Sequence, residues 1–381
     1  MFKIHQRYLA ATFIPPFVLA VAFFVVFLLT FYLLRFTELL VNKGVGWNAF
    51  LLLLAHMGIM FLPLAMPIAV LLATIYTLNK LSEDSEIVAM RAFGVSREKL
   101  FAPFLVLGLL IAGTLFSLNK NIIPFSHREV RNTQMKLASS AMLKQIKAEA
   151  FFGDIPGLVL YASSVSEDGR KMKDLFLLMQ NKKTKEEQII FAKEGALIGG
   201  KETIADLKIE LKRGSIVRRN KEKVDIEKIS FKRYLFPPFD KIPTFGVLNK
   251  ASMKSNESLK KELLRVEKIY QKSLKTKKNI SGKRKTYHSN LIEYYWRFNT
   301  PLVVLACILL GFSVGIKNGR GKDKNSSFLA LIVLIPYYIL FFTSISQAKH
   351  GVLWPSVAVF GPTILFFLAG LWFYRRMDWV N

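Results

Sequence analysis

The chain lacks most of what enzyme chemistry needs. Among 381 residues there is one cysteine, Cys307, set inside an apolar run, which excludes a disulfide framework and a thiolate metal site. Five histidines (His5, His56, His127, His288 and His350) are scattered, with no HExxH and no paired ligand spacing, so no metal site is visible. No Gly-x-x-x-x-Gly-Lys-[Ser/Thr] loop is present to cradle nucleotide phosphates, and Gly282-Lys283-Arg284-Lys285-Thr286 only mimics its end. These absences leave catalysis by this chain alone without visible means, and no cofactor is expected. Formal charge is also missing from long stretches, beginning with Leu9 to Leu34.

What is present is a mosaic. Hydrophobic residues make up 52% of the chain and charged residues 21%, with a mean hydropathy of +0.30, so it is neither uniformly membrane-embedded nor uniformly soluble. The net charge is +27, and between Ile122 and Tyr295 there are 37 Lys and Arg against 20 Asp and Glu. Such an excess suits anionic partners: lipid head groups, phosphorylated glycolipid or nucleic acid. It equally fits a source whose proteins are lysine-rich throughout.

About 20 apolar residues span the hydrocarbon core of a bilayer. Six runs meet that need: Leu9 to Leu34, Ala49 to Leu78, Leu100 to Leu118, Glu293 to Ile316, Phe328 to Ser346 and Val352 to Tyr374. The first is too long for a secretory signal core and reads as an uncleaved anchor, bent or restarted at Pro15 and Pro16. In the second, the lone His56 reads as a packed neutral imidazole, because nothing ionisable accompanies it there. In the third, Gly108 and Gly113 offer close-packing positions. Counting short loops only, twelve Lys and Arg, among them Lys3, Lys80, Arg97, Lys317, Arg320, Lys322, Lys324 and Arg376, lie on one side and only Arg35, Lys43 and Lys349 on the other. The first side and both termini are therefore expected in the cytoplasm.

Between the third and fourth spans the pattern turns β-rich, in Leu158 to Ala162, Leu175 to Met179, Gln188 to Ala192, Ile204 to Leu211 and Val224 to Phe231. Asp168-Gly169, Asn181, Gly199-Gly200 and Gly214 read as turns between them, which predicts an all-β sandwich or jelly roll. A helix is expected at Ser258 to Leu274, then a basic linker to Lys285. The fold class is thus an α-helical membrane protein with an inserted all-β domain, six transmembrane helices (3+3) and an extracytoplasmic β-jelly-roll. Its divisions are 1–121, holding spans one to three, 122–290, holding the β domain with its basic helical tail, and 291–381, holding spans four to six. Nucleic-acid binding suits the charge but conflicts with an extracytoplasmic insert.

Two sets of residues are candidates for function. Leu81 to Arg97 is a charged helix too polar to cross a bilayer, with Ser82 as N-cap, Glu83 and Asp84 in its first turn, and Gly94 ending it over 82–94. Ser96 restarts a helix at once. Glu86, Met90 and Phe93 fall at i, i+4 and i+7, a face suited to a partner's groove, although the same spacing fits a loop that merely joins two spans. The second set, Arg35, Lys43 and Arg297, is expected as a basic ring near the outer leaflet that receives lipid phosphates. An ion pair of Arg297 with Glu293, four residues before it, is the competing reading, with the other two snorkelling to head groups.

Ser85-Glu86-Ile87-Val88-Ala89-Met90-Arg91-Ala92-Phe93-Gly94-Val95-Ser96 resembles the cytoplasmic coupling helix of the LptF/LptG (YjgP/YjgQ) permeases, and the order of segments is similar over nearly the whole chain. Ser85-Glu86-Ile87 followed by Met90, and the pair Trp296-Arg297, look LptF-like more than LptG-like. The resemblance implies the membrane subunit of a lipopolysaccharide exporter in the inner membrane, with a periplasmic jelly roll that passes lipopolysaccharide to a bridge of similar domains. It implies an LptB-type ATPase dimer docked at Glu86, Met90, Arg91, Phe93 and Gly94, a paralogous LptG or LptF chain, and a single-span LptC-type protein. A scaffold or sensor with an extracytoplasmic β domain and no transport activity is the alternative.

Overall fold

A segment inside a bilayer must satisfy its own backbone hydrogen bonds, and the apolar runs accordingly form long helices. The computed structural model describes residues 4–43, 47–145, 148–155, 158–166, 170–181, 186–198, 208–220, 226–236, 251–276, 280–316 and 326–377. Helices α1 (Ile4–Lys43), α2 (Trp47–Glu83), α3 (Glu86–Ala92) and α4 (Arg97–Ser117) lead through a π-helical turn, Leu118–Ile122, into α5 (Ile123–Gln145). Strands β1 (Phe151–Ile155), β2 (Leu158–Val165), β3 (Lys171–Asn181), β4 (Glu186–Ile198), β5 (Lys208–Asn220) and β6 (Ile226–Phe236) follow. A 3-10 turn at Ala251–Met253 precedes α6 (Asn256–Thr276), α7 (Ile280–Gly315), α8 (Ser326–His350) and α9 (Pro355–Arg376).

Among the described residues five helical stretches are long and apolar enough to cross a membrane: 4–32, 50–83, 97–134, 280–315 and 355–376. Helix α8 stands where the fifth of the six runs was expected. No break interrupts α1 at Pro15 and Pro16. The predicted linker of Lys275 to Lys285 is also shorter than expected, because α6 extends to Thr276 and α7 begins at Ile280.

The chain divides into two compact units, 1–34 with 54–127 and 251–381, and 35–53 with 128–250. In the first unit α7 is central: its most apolar window is 67% buried, against 6% for that of α1. Small residues let other helices reach it. A Cβ on Gly311 would stand 3.2 Å from the Leu71 carbonyl oxygen, and one on Gly315 would stand 3.1 Å from the Ile75 Cα, so α2 and α7 approach backbone to backbone. Gly108 packs on Ile308 as expected, whereas a Cβ on Gly113 would meet nothing from another helix within 4 Å among the described residues. Gly311-Phe312-Ser313-Val314-Gly315 also spells the serine-hydrolase pattern GxSxG. Here, however, Ser313 is mid-helix with its hydroxyl donated to the Leu309 carbonyl at 2.7 Å, and no strand-to-helix elbow exposes it. His56 is packed as expected, with Nδ1 3.3 Å from Ser126 Oγ and its ring edge-on to Phe125.

The second unit holds a six-stranded antiparallel sheet in the order β1-β2-β3-β4-β5-β6. Each described strand pairs with its sequence neighbours, so the Greek-key crossings of a jelly roll are not seen among the described residues. Gly214 is not a turn but the middle of β5, where a Cβ would collide with the Phe191 carbonyl oxygen of β4. Asp168-Gly169, Gly199-Gly200 and 204–207 lie outside the described residues.

One row of the sheet is irregular. The ladders pass over Ser163, Asp174, Lys193, Arg213 and Lys232 in line across β2 to β6 without changing register. Asp174 (φ 48) and Arg213 (φ 54) are left-handed there. Side chains on a strand alternate between faces, and this row resets the alternation. On β3 the buried residues are Leu175 and Leu177 on one side of it and Met172 on the other; on β5 the buried apolar residues are Ile216, then Leu211 and Ile209, with Glu210 between the last two buried as well. The apolar surface therefore continues across the irregular row on one face of the sheet.

Two outcomes follow. Gly315→Leu should force α7 away from α2 and lower the melting temperature of the detergent-solubilised chain, at a cost of about 1–3 kcal/mol. Arg213→Gly, which accepts the left-handed backbone, should hold or raise the stability of the sheet, while Arg213→Val should lower it by about 1–2 kcal/mol in hydrogen exchange of the β4 and β5 amides.

Candidate functional site

The core-facing pattern of α2 does not stop at Ser82. Leu78 and Leu81 are both fully buried, and Ser82, one turn after Leu78, is buried beside them inside the last turn of α2. Ser82 is therefore not the N-cap, and the expected helix over 82–94 is shorter, with α3 beginning at Glu86 after a turn at Asp84 and Ser85. Ser85 takes the cap position in a left-handed conformation (φ 58) without a side-chain bond.

The far end follows the expectation. Gly94 has φ +75, its N–H donates to the Arg91 carbonyl at 2.8 Å, and the Val95 N–H donates to the Met90 carbonyl at 3.1 Å. This pair of bonds is the Schellman termination, which glycine accepts without a Cβ penalty. Ser96 caps α4, accepting from the Lys99 N–H at 3.4 Å.

The faces of α3 differ from the simple spacing. Ile87 is buried and Met90 packs against the same core, while Glu86 accepts a hydrogen bond from the Tyr8 hydroxyl of α1 at 2.9 Å. Arg91 is half-buried. Outward stand Val88 and Ala92, one turn apart, and Ala89 and Phe93, one turn apart, with Phe93 88% exposed. Phe93 is still on the helical path, its N–H donating to the Ala89 carbonyl at 3.1 Å, but it stands at the very end of the helix, where the core that takes Met90 does not reach it. Val88, Ala89 and Ala92 were not singled out from sequence; their signal was the i, i+4 pairing with a bulky aromatic at the helix end.

Arg97, opening α4, holds this segment from the other side. Its guanidinium lies 4.4 Å from the centre of the Tyr374 ring and donates to the Tyr374 carbonyl at 3.1 Å. Beneath it Phe101, Phe104 and Phe312 form an aromatic chain that reaches Phe13 of α1, with ring centres 4.9–5.9 Å apart. Helix α3 is thus tied directly to the start of α1, and the start of α4 just after it is tied to the end of α9.

Arg297 is placed inside the protein, 2% exposed. It donates to Asn256 Oδ1 at 2.7 Å, to the Ala251 carbonyl at 3.1 Å and to Glu293 Oε1 at 3.4 Å. The Glu293 contact is the competing reading of the sequence, and the bonds to Asn256 and Ala251, not anticipated from it, extend the pair into a clasp that joins α7 to the start of α6. The π-turn adds a second tie, with the Asn119 amide donating to Thr300 Oγ1 at 2.7 Å. Arg35 and Lys43 lie on the last turns of α1, and their side chains are outside those described, as are Lys317, Arg320, Lys322 and Lys324. A cavity of about 550 Å³ opens between α1, α2 and α8, lined by Phe24, Ile68, Leu334, Tyr338, Ile339 and Phe342. Its wall is almost wholly hydrocarbon, which suits an acyl chain and excludes a polar ligand.

A multi-pass helical membrane protein with an inserted β-sheet and an exposed short helix between two spans is the class these features define. The family model of the lipopolysaccharide export system permeases LptF/LptG matches residues 7–376, and the chain belongs to that family. It is accordingly a permease subunit for lipopolysaccharide export. Comparison with curated proteins gave no match.

Replacing Arg297 by alanine should leave Glu293 and Asn256 without their partner and destabilise the folded chain by about 3 kcal/mol or more, read as a fall in unfolding temperature. Gly94→Val should cost about 1–2 kcal/mol in the same assay, from the left-handed backbone it must adopt.

Proposed function

We propose that this chain is one membrane half of an ATP-driven exporter that lifts lipopolysaccharide out of the inner membrane, with six spans, both termini in the cytoplasm and the β-sheet in the periplasm. The observation that carries the coupling part is the outward face of α3, where an exposed Phe93 stands beside Val88, Ala89 and Ala92 on a helix held to α1 through Glu86 and followed by α4, whose Arg97 is held to α9. An LptB-type ATPase dimer takes Phe93 into an apolar groove, and Glu86 and Arg91 meet polar groups at its edge. Glu86 can do so while bound to Tyr8, since a carboxylate accepts several hydrogen bonds. Because α3 is joined to two spans by short turns, a displacement of this helix by the ATPase passes directly to α2 and α4.

The other partners are a paralogous LptG or LptF chain and a single-span LptC-type protein. Acyl chains enter the hydrocarbon-lined cavity by α1 and α8, and the continuous apolar face of the sheet carries them to a periplasmic bridge. Strands β1 and β6, each paired on one side only among the described residues, offer edges for sheet continuation between proteins. Arg35 and Lys43 would act at the outer leaflet as phosphate contacts, Arg with paired bonds and Lys as a point charge.

Phe93→Asp should leave the chain folded, given the exposure of the side chain, and weaken ATPase co-purification at least about tenfold, as loss of an aromatic anchor does. Glu86→Lys should uncouple hydrolysis from transport. Co-purification and transport at wild-type levels in both variants would refute the docking assignment.

A further inference from the structure

Helix α6 carries two stripes of equal spacing. Leu259, Leu263, Val266, Tyr270 and Ser273 fall at i, i+4, i+7, i+11 and i+14; Leu259, Leu263 and Val266 pack with Tyr287 and Leu291 of α7, and Tyr270 stacks on Tyr287 at 5.5 Å. Two residues after each comes Lys261, Arg265, Lys268, Lys272 and Lys275, all exposed. Two residues are about 200° of helix, so this basic stripe points away from α7 over about 21 Å. Of the acidic residues on α6, Glu262 is turned to Lys254 at 3.5 Å. None of the five basic side chains has an ion-pair partner among the described residues.

The stripe has a direction. Asn256 at the start of α6 is bonded to Arg297, and Tyr270 meets Tyr287, so α6 runs antiparallel to α7. Helix α7 has 36 residues, about 54 Å, against a hydrocarbon thickness of about 30 Å. Its buried C-terminal part lies against α2 near Leu78, at the cytoplasmic end in the proposed orientation. The N-terminal part therefore projects beyond the outer leaflet, and α6 stands along that projection. A flat bilayer could touch only the near end of such a stripe. A headgroup that rises from the membrane and bears several phosphates matches its whole length.

We propose that the outward face of α6, through Lys261, Arg265, Lys268, Lys272 and Lys275, binds the phosphate-bearing headgroup of the exported glycolipid as it leaves the outer leaflet. This rests on the export reading above. The charges act as a row of exchangeable contacts, strong in sum and individually weak, so that the headgroup is guided without being trapped.

The test uses the full chain in neutral detergent and, as probe, the deacylated, phosphorylated headgroup of lipopolysaccharide, beside the same headgroup after phosphatase treatment and vesicles of phosphatidylglycerol. A variant with Lys261→Gln, Arg265→Gln, Lys268→Gln and Lys272→Gln keeps helix propensity and leaves the packed face untouched. It should bind the phosphorylated headgroup about tenfold more weakly and with less salt dependence. Lys261→Arg, Lys268→Arg and Lys272→Arg together should bind as the wild type does. Equal affinity of the wild type and the Gln variant, or equal binding of the dephosphorylated headgroup, would overturn the proposal. Vesicle binding that is as tight, and lost equally in the Gln variant, would overturn it in favour of a bilayer anchor. Co-purification of acylated lipopolysaccharide separates the two readings: if both proteins carry it while their headgroup affinities are equal, only the stripe fails, and if the wild type carries none and binds no headgroup, the export reading fails with it.

Discussion

The approach of α2 to α7 at Gly311 and Gly315 is the constraint on which the first unit depends. Lipid chains are as apolar as leucine, so helices in a bilayer gain little from hiding hydrocarbon and associate through close packing and polar contacts. Two glycines one turn apart let α2 lie on the α7 backbone, and Gly108 lets α4 lie beside Ile308 of the same helix. Because α2 and α4 are the two spans that flank α3, their common seat on α7 fixes where the short helix emerges. The aromatic chain from Phe13 through Phe104 and Phe312 to Phe101 fills the space beneath it.

Polar ties sit where packing alone would allow sliding. Arg297 holds the start of α6 to α7, Asn119 bonds Thr300 across from the π-turn, and His288 meets the Ala348 carbonyl at 2.7 Å between α7 and α8. Groups buried this way are costly to leave unpaired, which makes each tie specific to one register of its helices. The π-turn itself places one extra residue in the helix, and the buried Asn119 is in that turn. A side chain read from sequence as a phosphate ligand, Arg297, thus serves the architecture, while the exposed cations are on the opposite face of the neighbouring helix.

The sheet solves a different problem with the same economy of means. Strict alternation along β3 or β5 would turn the apolar face over where the hydrophobic pattern shifts by an odd number of residues. A left-handed residue in β3 and another in β5, placed in one row, absorb that shift while the ladders from β2 to β6 keep their register. The result is an apolar surface that continues from one side of the row to the other.

The sequence by itself determined the membrane class, the position of the apolar spans, the β-rich insert, the glycine that ends α3 and the amphipathic helix near 258–274, because each is written in local periodicity, charge and backbone preference. The resemblance in Ser85 to Ser96 carried the family, and the match over residues 7–376 established it. Only the tertiary structure decided that Ser82 is core and not a cap, that Phe93 stands apart from Glu86 and Met90, that Arg297 is spent inside the protein, and that Gly311 and Gly315 do the packing expected of Gly113. Those outcomes turn on which face of a helix meets a neighbour distant in sequence, and local spacing names the faces of a helix without saying what covers them.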